Sequence, residues 1–316
     1  MPSQYLTAGD AALYGAAALA ATSQIVLAST LVDSYLRRPK GLVYVADANG
    51  FPAMMASATP MENFTLTAAI APGQNVNATL NLNLITPDFV GEVLVLDAGL
   101  STMEACQVNN VAVPTGTNIS IPGTGGSTNG VTLSNVQFAH AIGATAQTGL
   151  TLIEEKSLPN KRSVTMLSEL PAVNLLSLLG RYAYGRRSDQ VGGLYQEMNL
   201  LASVQTFGGP PQWIIVDTEQ ASISPRMGEL WVPAGMLLAY YSDVRAYYIA
   251  GWTAATLPPA IKIATANIIN TLAQVGIPAS LQTATAASST LKRFTASNID
   301  IDTQRMLDPF SARLMF

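Results

Sequence analysis

The spacing of apolar residues predicts a helical segment over residues 7–38. Asp10 is suited to cap its amino end, and two arginines before Pro39 suit its carboxyl end, because proline prevents the helix from continuing. Apolar side chains recur between these ends at close to helical spacing: Leu13, Ala17, Ala20, Leu27, Leu31 and Tyr35. The chain is therefore expected to open with helix, which Gly15 and the pair Thr22–Ser23 are expected to divide in two.

From about residue 41 to residue 165 the pattern changes to a period of two. In residues 76–84 apolar side chains alternate with asparagine and threonine, as they do in a half-buried antiparallel strand. Turn sequences separate further runs of this kind, which lie at 64–70, 90–96, 131–138 and 148–153. Several short strands at this spacing predict a small β-sandwich or barrel.

Residues 165–316 combine short strand-like runs with one strong helix. The helix is predicted over 259–275, since two prolines suit its first turn and a glycine follows its last. Its apolar stripe consists of Ile261, Ala264, Ile268, Leu272 and Val275. The strand-like runs lie at 178–184, 213–217, 229–233 and 244–249. We expect the helix to pack on the N-terminal one, with Leu31 and Ile268 in the core.

Together these patterns predict an α+β protein made of two parts. Residues 1–40 and 165–316 are expected to form a helical body, built from the N-terminal helices and from the C-terminal helix with β-hairpins. Residues 41–164 are expected to form an inserted antiparallel β-sandwich or barrel domain.

The chain is unusually poor in charge. Only 11% of its 316 residues are charged, against about 25% in a typical soluble domain, although 49% are apolar. Such a chain is expected to cover much of its surface with partner subunits, and an ordinary monomer rich in alanine, threonine and asparagine is the alternative. Polar residues interrupt the most apolar stretch, 11–36, so no membrane span is expected. No signal peptide is expected either, because a signal peptide begins with basic residues and none precedes Arg37. The net charge of −4 argues against a nucleic-acid-binding surface.

The sequence predicts no catalytic, cofactor or metal site. Cys106 and His140 are the only cysteine and histidine, too few for a zinc ligand set. His140 is expected where a strand runs into a turn, and no nucleophile-elbow sequence is present. The glycine-rich residues 123–130 lack the lysine of a phosphate-binding loop and are expected to form a hairpin loop. Hydrolysis by two positioned carboxylates is the enzyme alternative that the sequence leaves open.

Several segments, in a fixed order, resemble those of one protein family. They are residues 31–38 (LVDSYLRR), 169–185 (ELPAVNLLSLLGRYAYG), 228–233 (GELWVP), 244–252 (VRAYYIAGW) with the following LPPAIKIA, and 301–310 (IDTQRMLDPF). This ordered set resembles the head–tail adaptor, or connector, proteins of tailed phages. One departure is at Leu36 and Arg37, where the family's opening helix ends in a run that contains glycine. The resemblance covers 7–40 and 165–316 and leaves the inserted β domain outside it.

The resemblance implies a structural virion protein that is not an enzyme and has no cofactor. Such a protein forms a homo-oligomeric ring, commonly a dodecamer, at the head–tail interface, and it is assembled in the host cytoplasm. Its partners are the portal protein, a downstream neck or tail protein, and genome DNA that passes through the lumen without sequence-specific binding; no membrane is involved. The two flanking regions would then be the adaptor body. The alternative is another virion β protein, such as a fibre-base or receptor-binding subunit.

The C-terminal segment is predicted to be a portal-docking arm. Residues 279–290 are rich in alanine, serine and threonine and have little to bury, so they suit a tether. The residues expected to contact the portal lie beyond this tether: Arg305, Met306, Leu307, Pro309, Phe310, Arg313, Leu314 and Phe316. The alternative is that this segment folds back on its own subunit.

Overall fold

The structure is a computed structural model that describes most of the chain. The described residues form three hydrophobic cores. The described residues are 4–16, 22–46, 50–56, 62–81, 90–112, 128–158, 163–181, 213–234, 241–273, 283–286, 289–292 and 299–312. One core lies among helices, one inside a barrel-like sheet, and one between them, around two further sheets. The three cores divide the molecule into a helical layer, a central β region and a barrel.

The helical layer joins the two ends of the chain. Its elements are α1 (Ala8–Ala11) with the 3₁₀ turn Ala12–Tyr14, α2 (Thr22–Leu36), α3 (Pro259–Ala273), and α4 (Ile301–Leu307) with the 3₁₀ turn Asp308–Phe310. The first predicted helix is divided at Gly15, which has a φ of 83° and ends the 3₁₀ turn. As predicted, α3 packs on α2, with Ile268 buried and Leu31 partly buried in their common core. None of the described helices is long and apolar enough to cross a membrane.

The barrel follows a short hairpin of β1 (Tyr44–Ala46) and β2 (Pro52–Met55). Its strands are β3 (Asn63–Thr65), β4 (Val76–Asn81), β5 (Val93–Leu96), β6 (Glu104–Ala112), β7 (Thr128–Leu133) and β8 (Thr145–Thr148). They pair antiparallel in the order β3-β8-β5-β6-β7-β4, and a bridge between Leu66 and Leu80 brings the two edges together. The predicted alternation is present in β4, where Ala78 and Leu80 face the core.

The central β region consists of two antiparallel sheets. The four-stranded sheet has the order β12 (Ile214–Val216), β11 (Ala172–Arg181), β15 (Asp243–Ala250), β9 (Leu152–Ser157). The three-stranded sheet has the order β10 (Val164–Met166), β14 (Glu229–Trp231), β13 (Ser222–Ile223). Strands β11 and β15 are buried over most of their length, so they carry the centre of this core. A separate hairpin, β16 (Thr283–Ala286) with β17 (Ser289–Lys292), occupies much of the segment predicted to be a tether.

The predicted helical body is wrong. Strand makes up 38% and helix 23% of the described structure, and the region after residue 165 contributes sheets that form a core of their own. The runs at 213–217 and 229–233 contain the partly buried strands β12 and β14. The runs at 178–184 and 244–249 overlap β11 and β15, which are buried over most of their length. Such strands bury apolar side chains on two sides, while a surface helix buries only one stripe.

Backbone hydrogen bonds join the helical layer to the central sheet through residues 42–44. The N–H of Tyr44 donates to the carbonyl of Trp252, and the N–H of Trp252 donates to the carbonyl of Leu42, both at 2.9 Å. Gly251 between them has a φ of 114°, and a Cβ there would lie 2.2 Å from the Leu42 carbonyl oxygen. Only glycine fits this crossing, because both the backbone angle and the close approach exclude a side chain.

The barrel also shares contacts with the central β region. The N–H of Ala105 donates to Ser177 Oγ at 3.0 Å, and Arg245 donates to Gln107 Oε1 at 2.7 Å. Val93, Val95 and Ala105 belong to the central core although they lie on barrel strands. The domain division at residues 41 and 164 stays a prediction, and these contacts define what joins its two parts.

We expect Ile268→Ala to lower the free energy of unfolding by about 2–5 kcal/mol, because it removes a buried side chain between α2 and α3. Ile263→Ala is the matched control on the same helix, since Ile263 is 38% exposed and Ile268 only 1%. The control should cost about 1 kcal/mol or less. Urea denaturation of both variants measures the difference, and equal losses would contradict the packing of α3 on α2.

Candidate functional site

His140 lies buried in the barrel between two carboxylates. Its Nδ1 is 2.7 Å from Asp97 Oδ2, and its Nε2 is 2.7 Å from Glu104 Oε1. Asp97 directly follows β5 and Glu104 begins β6, so one hairpin supplies both acids. Reciprocal backbone hydrogen bonds of 3.0 Å between His140 and Ile70 hold the third member in place. The chain's single histidine therefore ties three segments of the barrel together.

This geometry favours a positively charged imidazole. When both ring nitrogens face ionised carboxylates, both must donate a hydrogen bond, which only the imidazolium can do. Burial by itself lowers the pKa of His140, but the hydrogen bonds and charges of Glu104 and Asp97 outweigh it, and the net pKa is raised. Glu104 also accepts the backbone N–H groups of Gln137 and Phe138, at 2.7 and 2.9 Å. With both nitrogens engaged, this cluster is suited to bracing the barrel.

Cys106 lies next to this cluster in the same barrel core. Burial, followed by the charge of Glu104 and a hydrogen bond to it, raises the pKa of the Cys106 thiol well above its usual range. A thiol held in its neutral form is a poor nucleophile and a poor metal ligand. Among the described residues no group of His, Cys, Asp and Glu is arranged to hold a metal ion.

A second buried polar cluster lies where the helical layer meets the central sheet. Arg38, just after α2, is only 1% exposed and donates from Nη2 to the carbonyl oxygen of Leu170. Glu169, the neighbour of Leu170, is 7% exposed. Its pKa is raised to about 7 because burial outweighs the charge of Arg38. We call this group of residues, with the partners described next, the junction cluster.

Two tyrosines carry the hydrogen bonds of the junction cluster. The Tyr5 hydroxyl donates to Asp33 on α2 and accepts the N–H of Leu42 at 3.0 Å. The Tyr248 hydroxyl donates to Glu154 on β9 and accepts the N–H of Glu169 at 3.3 Å. Each hydroxyl thus connects a carboxylate to the backbone of another segment.

Lys156 completes the junction cluster. Its Nζ lies 2.8 Å from Glu154 Oε2 and donates to Ser168 Oγ, also at 2.8 Å. Because its side chains are packed inside the fold, the junction cluster is suited to joining two layers of structure.

A third polar group lies on the surface of the four-stranded sheet. The guanidinium carbons of Arg181 and Arg245 each lie 4.5 Å from the ring centroid of Trp213. Asp243 and Glu155 pair with these arginines at 3.0 to 3.2 Å. Since each positive charge has an acidic partner, this group does not form a basic surface for nucleic acid.

The structure places the predicted portal-contacting residues on the chain's own helical layer. Leu307 is fully buried in the helical core, and the ring of Phe310 packs edge-on against Trp252 at 5.7 Å between centroids. Arg305 and Pro309 are exposed and Met306 is half-buried, whereas the predicted contacts at positions 313, 314 and 316 lie outside the described residues. For residues 299–312 the alternative of folding back is the one observed, and portal binding stays a prediction.

Two hydrogen bonds fasten this C-terminal segment to α2. The Tyr35 hydroxyl donates to Asp308 Oδ1 at 2.6 Å, and the N–H of Ala312 donates to the Leu36 carbonyl at 3.0 Å. Asp300 caps α4 by accepting the N–H of Thr303 at 2.6 Å. The segment is therefore ordered by its own subunit, and only its outer side is free for a partner.

A row of an exposed tryptophan between a valine and a serine crosses one face of the three-stranded sheet. Val164 pairs with Trp231, and Trp231 pairs with Ser222, so the three side chains lie side by side. Trp231 is 42% exposed, and Val164 is exposed beside it. We call this row the Trp231 face. Because no charged residue lies within it, it is suited to contact with another protein.

Comparison with protein-family models, with characterised proteins and with solved structures gave no match. The described residues themselves therefore carry the functional argument. Sequence patterns identified the family-like segments but missed both buried clusters, because their members lie up to 243 positions apart in the chain, as Tyr5 and Tyr248 do. The only sequence signal for them was the presence of charged residues next to strongly apolar runs.

We expect His140→Ala to lower the free energy of unfolding at pH 7 by about 3–5 kcal/mol, because it leaves two buried carboxylates without their cation. Because the pKa of His140 is raised, its contribution to stability is complete below about pH 6.5 and is lost as the pH rises through the folded pKa. The cost of His140→Ala should therefore decrease at higher pH. Cys106→Ala is the control, with a cost that does not depend on pH over this range.

We expect Glu169→Gln to stabilise the protein above neutral pH. A carboxyl whose folded pKa is about 7, against 4.5 unfolded, makes wild-type stability fall as the pH rises from about 4.5 to 7. The variant should match wild type near pH 4 and exceed it at pH 8 by up to about 3 kcal/mol. Denaturation at both pH values measures this, with Glu62→Gln as an exposed control. If the wild type were more stable than the variant at pH 8, the raised pKa of Glu169 would be contradicted.

Proposed function

We propose that this protein is a structural virion protein, the subunit of a homo-oligomeric head–tail adaptor ring of a tailed phage, and not an enzyme. The observation that carries the proposal is the Trp231 face, where a tryptophan and a valine are exposed side by side on a chain in which only 11% of residues are charged. A monomer is kept dispersed by charge, whereas a ring subunit covers such a face with its neighbour.

The family-like segments support the same proposal by their positions. Residues 31–38 end α2, residues 244–252 form β15 and the turn after it, and residues 257–264 open α3. Residues 228–233 contain β14, which displays Trp231. In this proposal the subunits form a dodecamer, the ring size common in adaptor proteins. The ring docks on the portal and joins a downstream neck or tail protein in the virion.

The outer side of α4 is the portal-facing surface in this proposal. Arg305 is exposed there and Met306 is half-buried, while Leu307 and Phe310 hold the helix to its own subunit. Genome DNA passes through the lumen without sequence-specific binding, which agrees with an acidic chain whose best-placed arginines are already paired. No cofactor or membrane has a part in this function.

A second candidate is a fibre-base or receptor-binding subunit. The observation that favours it is a pair of strongly exposed apolar side chains on turns of the barrel, Leu100 and Ile142. Apolar side chains at loop tips are suited to binding a receptor or a second virion protein. In that case the barrel would bind and the central sheet would serve as its support.

Electron microscopy with light scattering of the purified protein tests the proposal. We expect closed rings, and we expect Trp231→Lys to release monomers with near-wild-type melting, because a buried lysine without a partner disfavours the interface. Leu100→Lys is the matched control, an exposed apolar residue outside the Trp231 face, and it should leave the rings intact. Trimers would favour the second candidate, and monomers at all concentrations would overturn both assemblies.

A further inference from the structure

The junction cluster contains three buried polar atoms that no protein atom satisfies. They are Nε and Nη1 of Arg38 and Oε2 of Glu169. Both residues are buried, since Arg38 is 1% exposed and Glu169 is 7% exposed. Burying such atoms without a hydrogen bond costs free energy, and most buried polar atoms in folded proteins do have a partner.

The three atoms belong to groups that lie close together. Nη2 of Arg38 donates to the carbonyl of Leu170, which places the guanidinium one residue from Glu169. Burial has the largest effect on the pKa of each group. Among charged groups, Glu169 has the largest effect on the pKa of Arg38, and Arg38 has the largest effect on the pKa of Glu169. The pair therefore interacts electrostatically, although its remaining donors and acceptor do not meet directly.

We infer that this position is an internal hydration site, in which at least one water molecule bridges the guanidinium of Arg38 and the carboxyl of Glu169. A buried water typically makes about three hydrogen bonds to otherwise unsatisfied groups. The Nε–H and Nη1–H groups of a guanidinium point in different directions, so each needs its own acceptor. A water that accepts from one of them and donates to Glu169 Oε2 bridges the pair. Water both accepts and donates, so one molecule satisfies both partners at once.

The surrounding charges favour water over an ion. Asp33, Glu154 and Glu169 oppose an anion, and Arg38 with Lys156 opposes a cation. The other polar groups that face the pair are already engaged: Tyr5 with Asp33, Tyr248 with Glu154, and Lys156 with Glu154 and Ser168. A neutral ligand with both hydrogen-bonding roles is the one that this environment accepts.

The joint between the helical layer and the central sheet would then contain an internal water. Arg38 follows α2, and Glu169 precedes β11, so the bridging water would transmit the charge pairing between the two layers. This hydration site is independent of the assembly proposed above, because it lies in the interior of one subunit.

A high-resolution crystal structure of the full chain tests the inference directly. We expect density for a water within hydrogen-bond distance of an Arg38 nitrogen and of Glu169 Oε2. A direct contact between Arg38 and Glu169 or Asp33, an ion at this position, or an absence of density would each overturn it.

Oxygen-17 relaxation of water provides a second test in solution, since it counts long-lived internal waters. The double variant Arg38→Met/Glu169→Leu removes both partners together and so leaves no lone buried charge, and it should lower the count by at least one. Lys156→Met is the matched control in the same cluster, because its ammonium already has direct partners, and the count should not change. An unchanged count in the folded double variant would overturn the inference.

Discussion

The antiparallel pairing of β11 with β15 is the contact on which the rest of the structure depends. The two strands pair from Ala172 with Ala250 to Arg181 with Asp243, and several other described parts of the molecule are attached to them. The barrel is joined through Ser177, the helical layer through Gly251 and Trp252, and the edge strands through direct pairing. Since both strands are buried on two faces, a change in their register would displace all three cores at once.

Charge inside the molecule is concentrated at the places where separate segments must be held together. His140 between Asp97 and Glu104 ties the barrel, and Arg38 with Glu169 lies between the helical layer and the sheet. Buried charges are costly unless they are paired, so such clusters tolerate few alternative arrangements. A chain with so few charged residues thus spends several of them on internal joints, and its surface is left with fewer charges than a monomer of this size usually carries.

The proposed assembly follows from this distribution of polar and apolar groups. The Trp231 face is formed by three short strands whose pairing, and not their sequence spacing, aligns Val164 with Trp231 and Ser222. The C-terminal segment shows the same dependence on tertiary structure. Its apolar residues were expected to be anchors for a partner, but Leu307 and Phe310 instead complete the core of their own subunit, which leaves only the outer side of α4 for contact.

The sequence by itself determined several local features: a helix predicted over 259–275 and described over Pro259–Ala273, the alternation in β4, the division of the first helix at Gly15, and the low content of charged residues. These depend on periodicity, on backbone preferences and on composition, all of which act over a few residues or over the whole chain. Only the tertiary structure decided that the strands outweigh the helices and that Arg38 interacts electrostatically with Glu169. Those outcomes depend on which distant segments become neighbours, and the local pattern of residues along one chain does not specify those long-range contacts.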